Sequence, residues 1–293
     1  MSVELIQLHP VFVGEVAGID MRKPLSSHEV AAIEAGMDRY AVLIFHDQNI
    51  TDEQQLAFTM NFGPLQDGNN TTRLKDLRLA PAFADVSNLD KDNKMFGRDD
   101  RRRVSALGNR LWHSDASFRS VPARYSLLSG RIVPPSGGNT EFADMRAAYD
   151  ALDDATKAEV EDLVCGHSLI YSRGQLGFTQ YTKEELATMA PAMQRLVRTH
   201  PVTGRKSLYL SAHIGTISGL PQAEALAFIR DLVEHATQPR FVYSHQWRAG
   251  DLIIWDNRQT MHRVRRFDDM KYVRDLRRTT TMSDGPTVAA QTA

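Results

Sequence analysis

Two histidines and one aspartate have the residue types of a metal site that leaves room for other ligands. His113 and Asp115 lie in the segment Trp112-His-Ser-Asp115, and His262 follows far downstream, after a strand-like run. Side chains two residues apart in an extended strand point to the same face, so His113 and Asp115 can aim an imidazole and a carboxylate at one point. Two imidazoles and one carboxylate leave three metal positions open, which suits non-haem iron(II) that must bind a co-substrate and oxygen.

Zinc is the alternative metal for such a set. A closed structural zinc site needs four protein ligands, usually with sulfur, and the chain has a single cysteine, Cys165. A catalytic zinc on the same three ligands is the remaining form, although the chain has no His-Glu-x-x-His segment. His-x-Asp is a common pattern, and the chain has 10 histidines, so a distant partner is easily found. The pattern becomes informative only beside a site for an anionic co-ligand.

Two arginines and a threonine can supply that anion site. Arg274 and Arg278 are four residues apart in Arg274-Asp-Leu-Arg-Arg278-Thr-Thr-Thr, a strand-like run in which they would share a face. A guanidinium matches a carboxylate in two places, so one arginine can bind the far carboxylate of a dicarboxylate cofactor and the other an acidic substrate. Thr140 follows the glycine turn Gly137-Gly-Asn and can donate to the same carboxylate. The alternative for the two arginines is a solvated basic edge strand, and the alternative for Thr140 is an ordinary β-strand residue.

The elements that must position these residues are short strands interrupted by helices. Capping boxes at Ser26-Ser-His-Glu29 and Thr51-Asp-Glu-Gln54 predict two helix starts. Hydrophobic patterns predict further helices over residues 145–152, 154–164 and 223–235, and strands over residues 41–45, 125–128, 207–210, 241–243, 252–255 and 279–282. This irregular order argues against a doubly wound parallel sheet. It favours a mainly β sandwich or barrel with helical insertions.

Length and charge bound the class of protein. The 293 residues allow one or two domains, and 35 Lys plus Arg nearly balance 36 Asp plus Glu, so no global field favours nucleic acid or an anionic membrane. The chain does not start like a signal peptide, and no stretch approaches the roughly 18 apolar residues that cross a bilayer. We predict a soluble, cytoplasmic protein with no nucleic-acid or membrane partner.

Three segments carry separate predictions. Residues 162–165 are interpreted as the end of an amphipathic helix, with Cys165 as a small buried residue rather than a reactive thiol. Residues 89–108 are charged and show little periodicity, so they are predicted to form a loop, either simply solvated or a mobile lid beside the site. The tail, about residues 284–293, is small and polar and is predicted to be flexible.

Together these segments resemble the taurine dioxygenase / 2,4-dichlorophenoxyacetate dioxygenase family over nearly the whole chain. The segments that carry the resemblance are His113-Ser-Asp115, Gly137-Gly-Asn-Thr140, Trp255-Asp-Asn-Arg258, His262 and the Arg274/Arg278 pair. The match is greatest to the 2,4-dichlorophenoxyacetate branch, in residues 111–115, 133–138, 142–152 and 232–238. The resemblance implies one catalytic domain over residues 1–293, with a double-stranded β-helix (jelly roll) core flanked by helices.

The resemblance also implies cofactors and a reaction. Iron(II) would be held by His113, Asp115 and His262, and 2-oxoglutarate by Thr140 and Arg274, with O2 as the further co-substrate. The reaction would hydroxylate the carbon next to the carboxylate of a phenoxyacetate such as 2,4-dichlorophenoxyacetate. Its products would be a phenol, glyoxylate, succinate and CO2.

The resemblance assigns four further residues to the substrate: Arg278, Asn109, His200 and His213. One departure concerns a lysine that the family has near residues 68–72. Here Thr71 stands at that position, and Arg73 and Lys75 are the nearest cations, which leaves the substrate range open. Family members tend to form homo-oligomers, so we expect one here.

Three alternatives remain at this point. The same chemistry can act on another acid, such as taurine or another alkylsulfonate, a phenoxypropionate or a cinnamate-like compound. A jelly-roll protein can bind such acids without turnover. A zinc hydrolase can use the same three ligands.

Overall fold

The structure, a computed structural model, describes residues 3–68 and 77–288. The positions of the departure noted above, Thr71, Arg73 and Lys75, lie outside the described residues, as does the end of the tail after residue 288.

Strands make up most of the regular structure. In chain order they are β1 Glu4–Gln7, β2 Gly14–Ala17, β3 Val42–Phe45, β4 Ala84–Ser87, β5 Ala123–Ile132, β6 Thr140–Asp144, β7 Val164–His167, β8 Ala192–Arg195, β9 Val197–Thr199, β10 Lys206–Leu208, β11 Ile214–Ile217, β12 Val242–His245, β13 Leu252–Asp256, β14 Thr260–Val264 and β15 Asp275–Met282. The helices are α1 Ser27–Tyr40, α2 Asp52–Met60, α3 Arg101–Ala106, α4 Met145–Asp150, α5 Asp154–Val160, α6 Leu169–Gly174, α7 Lys183–Thr188 and α8 Gln222–Ala236. Leu107–Arg110 and Pro239–Phe241 are 3-10 helices.

The strands form a jelly-roll core with helices outside, as the sequence predicts. A seven-stranded sheet has the order β1-β2-β3-β13-β5-β15-β4, and smaller sheets have the orders β12-β6-β14, β11-β7-β8 and β10-β9. Only β2 and β3 pair in parallel among the described strands. Antiparallel pairing lets residues far apart in sequence lie side by side, which the site below requires.

Strand β3 shows how the layers pack. All four of its residues are buried. Leu43 and Phe45 belong to the apolar cluster that includes residues of α1 and α2, whereas Val42 and Ile44 belong to the cluster that contains Phe142 of β6. One face of the large sheet therefore packs on helices and the other on a strand of a smaller sheet, which explains the continuous apolar run in the sequence.

The two predicted capping boxes are present. Ser26 accepts from the backbone of Glu29, and Thr51 from that of Gln54, and both boxes have the reciprocal bond to the cap backbone. The helix predicted over residues 154–164 ends at Val160, and the interpretation of Cys165 as a helix end is wrong. Cys165 lies in β7, buried between β8 and β11, because pairing on both sides outweighs a helical pattern.

The charged segment 89–108 is more ordered than the sequence indicates. Asp100 caps α3, and the 3-10 helix Leu107–Arg110 follows directly. Arg103 pairs with Asp269 at 2.9 Å, which ties α3 to the loop before β15. The second half of the predicted loop is therefore helical, and its lid role stays a prediction. Within the described ranges, no helix combines the length and the apolarity that a membrane span requires.

Candidate metal centre and its two chambers

His113, Asp115 and His262 meet at one buried point. The Nε2 atoms of His113 and His262 lie 3.8 and 3.7 Å from the carboxylate oxygens of Asp115, and the three ligand atoms are all within 4.8 Å of one another. The backbones of the two histidines exchange hydrogen bonds of 3.0 and 2.9 Å, as an isolated β-bridge. His113 is thus extended as predicted, but Asp115 begins a turn rather than continuing a strand. Backbone pairing, not strand alternation alone, brings the three together.

Neighbouring groups fix the orientation of these ligands. The Nδ1 atom of His113 lies 2.8 Å from the carbonyl of Leu111, and a carbonyl only accepts, so Nδ1 carries the proton and Nε2 has the lone pair for a metal. Ser126 donates to Asp115 at 2.7 Å, and Asn257 donates to Ser126 at 3.0 Å. The sequence reasoning missed both supporting residues. Asn257 stands in the Trp255–Arg258 motif, whereas nothing in the sequence pointed to Ser126.

The charge states of the three side chains suit a divalent cation. Burial raises the pKa of the Asp115 carboxyl, but Arg278, His262 and His113 outweigh burial and bring the pKa down to about 2. Burial lowers the pKa of His113 and, further, that of His262. One ionised carboxylate and two neutral imidazoles are the donor set that iron(II) binds in mononuclear oxygenases.

A first chamber opens beside the metal ligands and contains Arg274 and Thr140. Its walls include His113, His262 and Arg278. Arg274 directly precedes β15, and Arg278 lies on that strand. The pairing of β15 with β5 shifts its register after Asp275, yet both arginines line this cavity. The predicted strand face is therefore present as a common cavity wall.

Arg274 is a buried cation without an acidic partner among the described residues. Its Nη atoms make only long hydrogen bonds to the carbonyls of Val86 and Gly138, at 3.4 and 3.3 Å, and its Nε has no partner. The left-handed backbone of Gly138, with φ of 69°, belongs to the predicted glycine turn. Burial lowers the pKa of Arg274 to about 10, so the group is still charged at neutral pH.

Thr140 can donate to a ligand of that cation. Its Oγ1 accepts the indole N–H of Trp247 at 2.9 Å, which leaves the hydroxyl proton available for another acceptor. An ionised carboxylate between Arg274 and Thr140 would therefore meet a guanidinium and a hydroxyl donor. Because no acidic side chain of the described ranges pairs with Arg274, this place suits the carboxylate of a ligand.

A second chamber adjoins the first. The two share eight lining residues, among them His113, Asn109 and Arg278. Arg278 donates to the Asp115 carboxylate. His213, the predicted substrate residue, lines this chamber, and its ring lies edge-on to Phe118 at 4.9 Å. Arg278, Asn109 and His213 are thus brought together at one cavity.

His200 lies elsewhere. It is buried, its Nε2 accepts from Arg258 at 2.9 Å, and it lines neither chamber. Arg258 in turn holds Asp256, so His200 belongs to a buried charge cluster at the end of β13. The second chamber is also lined by Arg119 and Arg173, which the sequence reasoning did not single out.

The jelly roll, the His/Asp/His set and the Arg274/Thr140 pair beside it are the features expected of a 2-oxoglutarate-dependent oxygenase. The model of the family described as "Taurine catabolism dioxygenase TauD, TfdA family" matches residues 4–280. The chain belongs to this family.

Relatives and solved structures agree with the family membership. An alpha-ketoglutarate-dependent 2,4-dichlorophenoxyacetate dioxygenase of Cupriavidus pinatubonensis is 47% identical over 285 residues, which cover 97% of this chain and 99% of the relative. An (S)-phenoxypropionate/alpha-ketoglutarate-dioxygenase of Sphingobium herbicidovorans is 38% identical over 244 residues, or 80% of each chain. The crystal structure of AAD-2 in complex with Mn(II) and N-oxalylglycine has a TM-score of 0.91 and 58% identity, and the match covers 99% of this chain and 100% of that chain.

Proposed function

We propose that this enzyme hydroxylates the carbon next to the carboxylate of phenoxyacetates such as 2,4-dichlorophenoxyacetate. One atom of O2 would enter succinate, formed with CO2 from 2-oxoglutarate, and the other the substrate carbon. The resulting hemiacetal would divide into a phenol and glyoxylate. The 47% identity to a 2,4-dichlorophenoxyacetate dioxygenase supports the substrate class. The observation that carries the proposal is the metal triad beside two adjoining chambers: Arg278 lines both, and the first contains Arg274, which has no acidic partner among the described residues.

The residues of the first chamber would hold the cofactors. His113, Asp115 and His262 would bind iron(II), which when bound supplies the activation of O2. Arg274 and Thr140 would bind the far carboxylate of 2-oxoglutarate, because their donors have no other anionic partner in the described chain. Pairing a buried guanidinium with a carboxylate offsets part of the cost of an isolated charge, so this place suits a carboxylate of the ligand.

The residues of the second chamber would orient the substrate. Arg278 pairs with the carboxylate of Asp115. A metal cation bound by Asp115 would compete with Arg278 for this carboxylate, and the guanidinium would then be available to the acid group of a substrate in the chamber. Asn109 and His213 would face the ether and the ring. Orientation of the reacting carbon can supply several kcal/mol of the rate enhancement. We assign His200 no contact with the substrate, since it is buried behind Arg258.

Several expectations stay predictions. We propose that residues 1–293 form one catalytic domain and that the segment 89–108 closes over the chambers, which Phe96, Ala106 and Asn109 line. A homo-oligomer, a cytoplasmic location and a flexible tail also remain to be tested.

An anaerobic titration with iron(II) and 2-oxoglutarate, followed by O2 and a panel of acids, tests the function. We expect succinate, glyoxylate and a phenol in equal amounts with phenoxyacetates. Sulfite from taurine, or a product from a phenoxypropionate or cinnamate-like acid only, would assign a sibling activity. Binding of acids without succinate would indicate a protein that no longer turns over. Product formation with zinc in the absence of O2 and 2-oxoglutarate would contradict the oxygenase reaction and indicate a zinc hydrolase.

A further inference from the structure

The second chamber contains a cation whose bonding the proposed site does not explain. Arg173 lies in the last turn of α6, and its Nη2 donates to Oδ1 of Asn109 at 3.0 Å. Its Nε is buried without a partner, and it forms no ion pair with any acidic group of the described chain. A half-buried charged group with a buried Nε therefore has one hydrogen bond, to a neutral amide, and such an arrangement costs stability.

Gly108 makes room for this guanidinium. A Cβ atom at Gly108 would lie 2.3 Å from Nη1 of Arg173 and 2.5 Å from Cζ, which is far inside van der Waals contact. Any larger residue at position 108 would have to push the flexible end of Arg173 away. The guanidinium of Arg173 therefore lies directly against the backbone of the 3-10 helix Leu107–Arg110.

The contact fixes which way the amide of Asn109 points. A guanidinium has donors only, so the Asn109 atom that faces it must be the oxygen. The amide nitrogen Nδ2 is then the end of Asn109 that can meet a ligand, and Asn109 lines both chambers. Without Arg173 the amide could turn and present its oxygen, which would repel a carboxylate or an ether oxygen.

The remaining charges of the second chamber also favour an acid. Arg278 lines it, and its one ion pair in the described residues is with Asp115, the carboxylate that a metal would occupy. Burial is the main cause that lowers the pKa of Arg173 to about 10, and Arg278 adds to it, so Arg173 remains charged at neutral pH.

We infer that Arg173 is a positioning residue for substrate recognition: it holds Asn109 as a hydrogen-bond donor toward the substrate and adds positive charge to the chamber that takes the acid. This inference rests on the proposed function. It makes Arg173 act on the substrate through Asn109, and not on 2-oxoglutarate, which the first chamber would bind.

The test compares R173M, R173K and G108A with wild type. We expect R173M to raise KM for phenoxyacetate by about 10-fold or more and to leave KM for 2-oxoglutarate within about twofold. R173K keeps a donor for Asn109 and should recover part of that loss. G108A displaces the unchanged arginine and should raise KM in the same way. In the double variant R173M/N109A the two effects should be less than additive, because both remove the same oriented donor.

The matched control is R205M. Arg205 pairs with Asp150 at 2.6 Å, lies outside the segment 89–108 and lines neither cavity, so KM for the acid should stay at the wild-type value. Calorimetric binding of phenoxyacetate to protein loaded with Mn(II) and N-oxalylglycine gives a readout without turnover. Wild-type binding that R173M keeps in full, or an equal rise of both KM values, would overturn the positioning role alone. Wild-type protein that binds no aryloxy acid would overturn the proposed function with it.

Discussion

Two buried arginines of this protein, Arg258 and Arg274, differ in what surrounds their charge. Arg258 makes hydrogen bonds of 2.7–3.2 Å to both oxygens of Asp256, and neither side chain is more than 7% exposed. Arg274 is as deeply buried, but it meets only two backbone carbonyls at long distance. Asp256 raises the pKa of Arg258 in spite of burial, whereas burial lowers that of Arg274.

The difference separates a structural charge from one kept for a ligand. A buried base can respond to the lack of an acid by losing its proton, as His167 does, since burial lowers its pKa to about 3. An arginine cannot, because even the lowered pKa of Arg274 stays far above neutral pH. Arg274 therefore remains charged without an acidic partner among the described residues, and we propose that the anion of a ligand pairs with it, whereas Asp256 already pairs with Arg258 in the folded chain.

The largest expected effect on activity follows from loss of a metal ligand, because the proposed roles of both chambers depend on a bound metal. His113→Ala removes one of three ligands, so we expect succinate formation to be abolished, with the far-ultraviolet circular dichroism of wild type. Full activity of this variant under strict control of iron would contradict the ligand assignment.

Removing the paired charge should mainly affect folding. Arg258→Met leaves Asp256 buried without its partner, so we expect the free energy of unfolding to fall by about 3–5 kcal/mol. Urea denaturation measures this. The double variant Arg258→Met/Asp256→Leu should regain much of the loss; if it does not, the pair is not what makes the single variant unstable.

Removing the unpaired charge should mainly affect cofactor binding. For Arg274→Met we expect KM for 2-oxoglutarate to rise about 100-fold, which corresponds to about 2.8 kcal/mol. Its free energy of unfolding should stay level or rise, because an isolated charge leaves the interior. If Arg274→Met lost as much stability as Arg258→Met and kept the wild-type KM for 2-oxoglutarate, the two arginines would be equivalent. That result would contradict the distinction between a paired and an unpaired charge.

Arg278 should show the reciprocal pattern in the other chamber. Arg278→Ala is expected to raise KM for the aryloxy acid about 30-fold, or about 2 kcal/mol, and KM for 2-oxoglutarate far less. Steady-state kinetics with each co-substrate varied in turn measures both. The opposite pattern would mean that the roles of the two arginines are exchanged.

The smallest effect concerns the base that does lose its proton. Below pH 6.5 the unfolded chain binds a proton at His167, but the folded chain does so only near pH 3, so this histidine makes stability fall as the pH falls. The contribution is about 1.4 kcal/mol per pH unit. Between pH 6.5 and 5, the free energy of unfolding of His167→Asn should therefore fall less steeply than that of wild type, by about 1.4 kcal/mol per pH unit. The same dependence of unfolding free energy on pH in both proteins would show that His167 is charged in the folded chain.

Local patterns in the sequence predicted much of this molecule correctly. The capping boxes at Ser26 and Thr51 work through contacts three residues apart, so the sequence alone specifies where α1 and α2 begin. The apolar runs of β3 and β13 required burial on both faces. Residue types selected His113, Asp115 and His262 only together with the downstream arginines and the family resemblance, and the structure brings these three residues together.

Tertiary structure decided the rest, because it depends on contacts between distant segments. Cys165 lies in a strand since β8 and β11 pair with it, which no local pattern shows. The sequence could not tell that Asp256 satisfies Arg258 while Arg274 has no acid, that His200 lies behind Arg258, or that Arg173 reaches Asn109 across 64 positions. The sequence shows that a residue is an arginine but not whether an acidic side chain pairs with it. Only the distances in the folded chain distinguish a paired arginine from one that is available to a ligand.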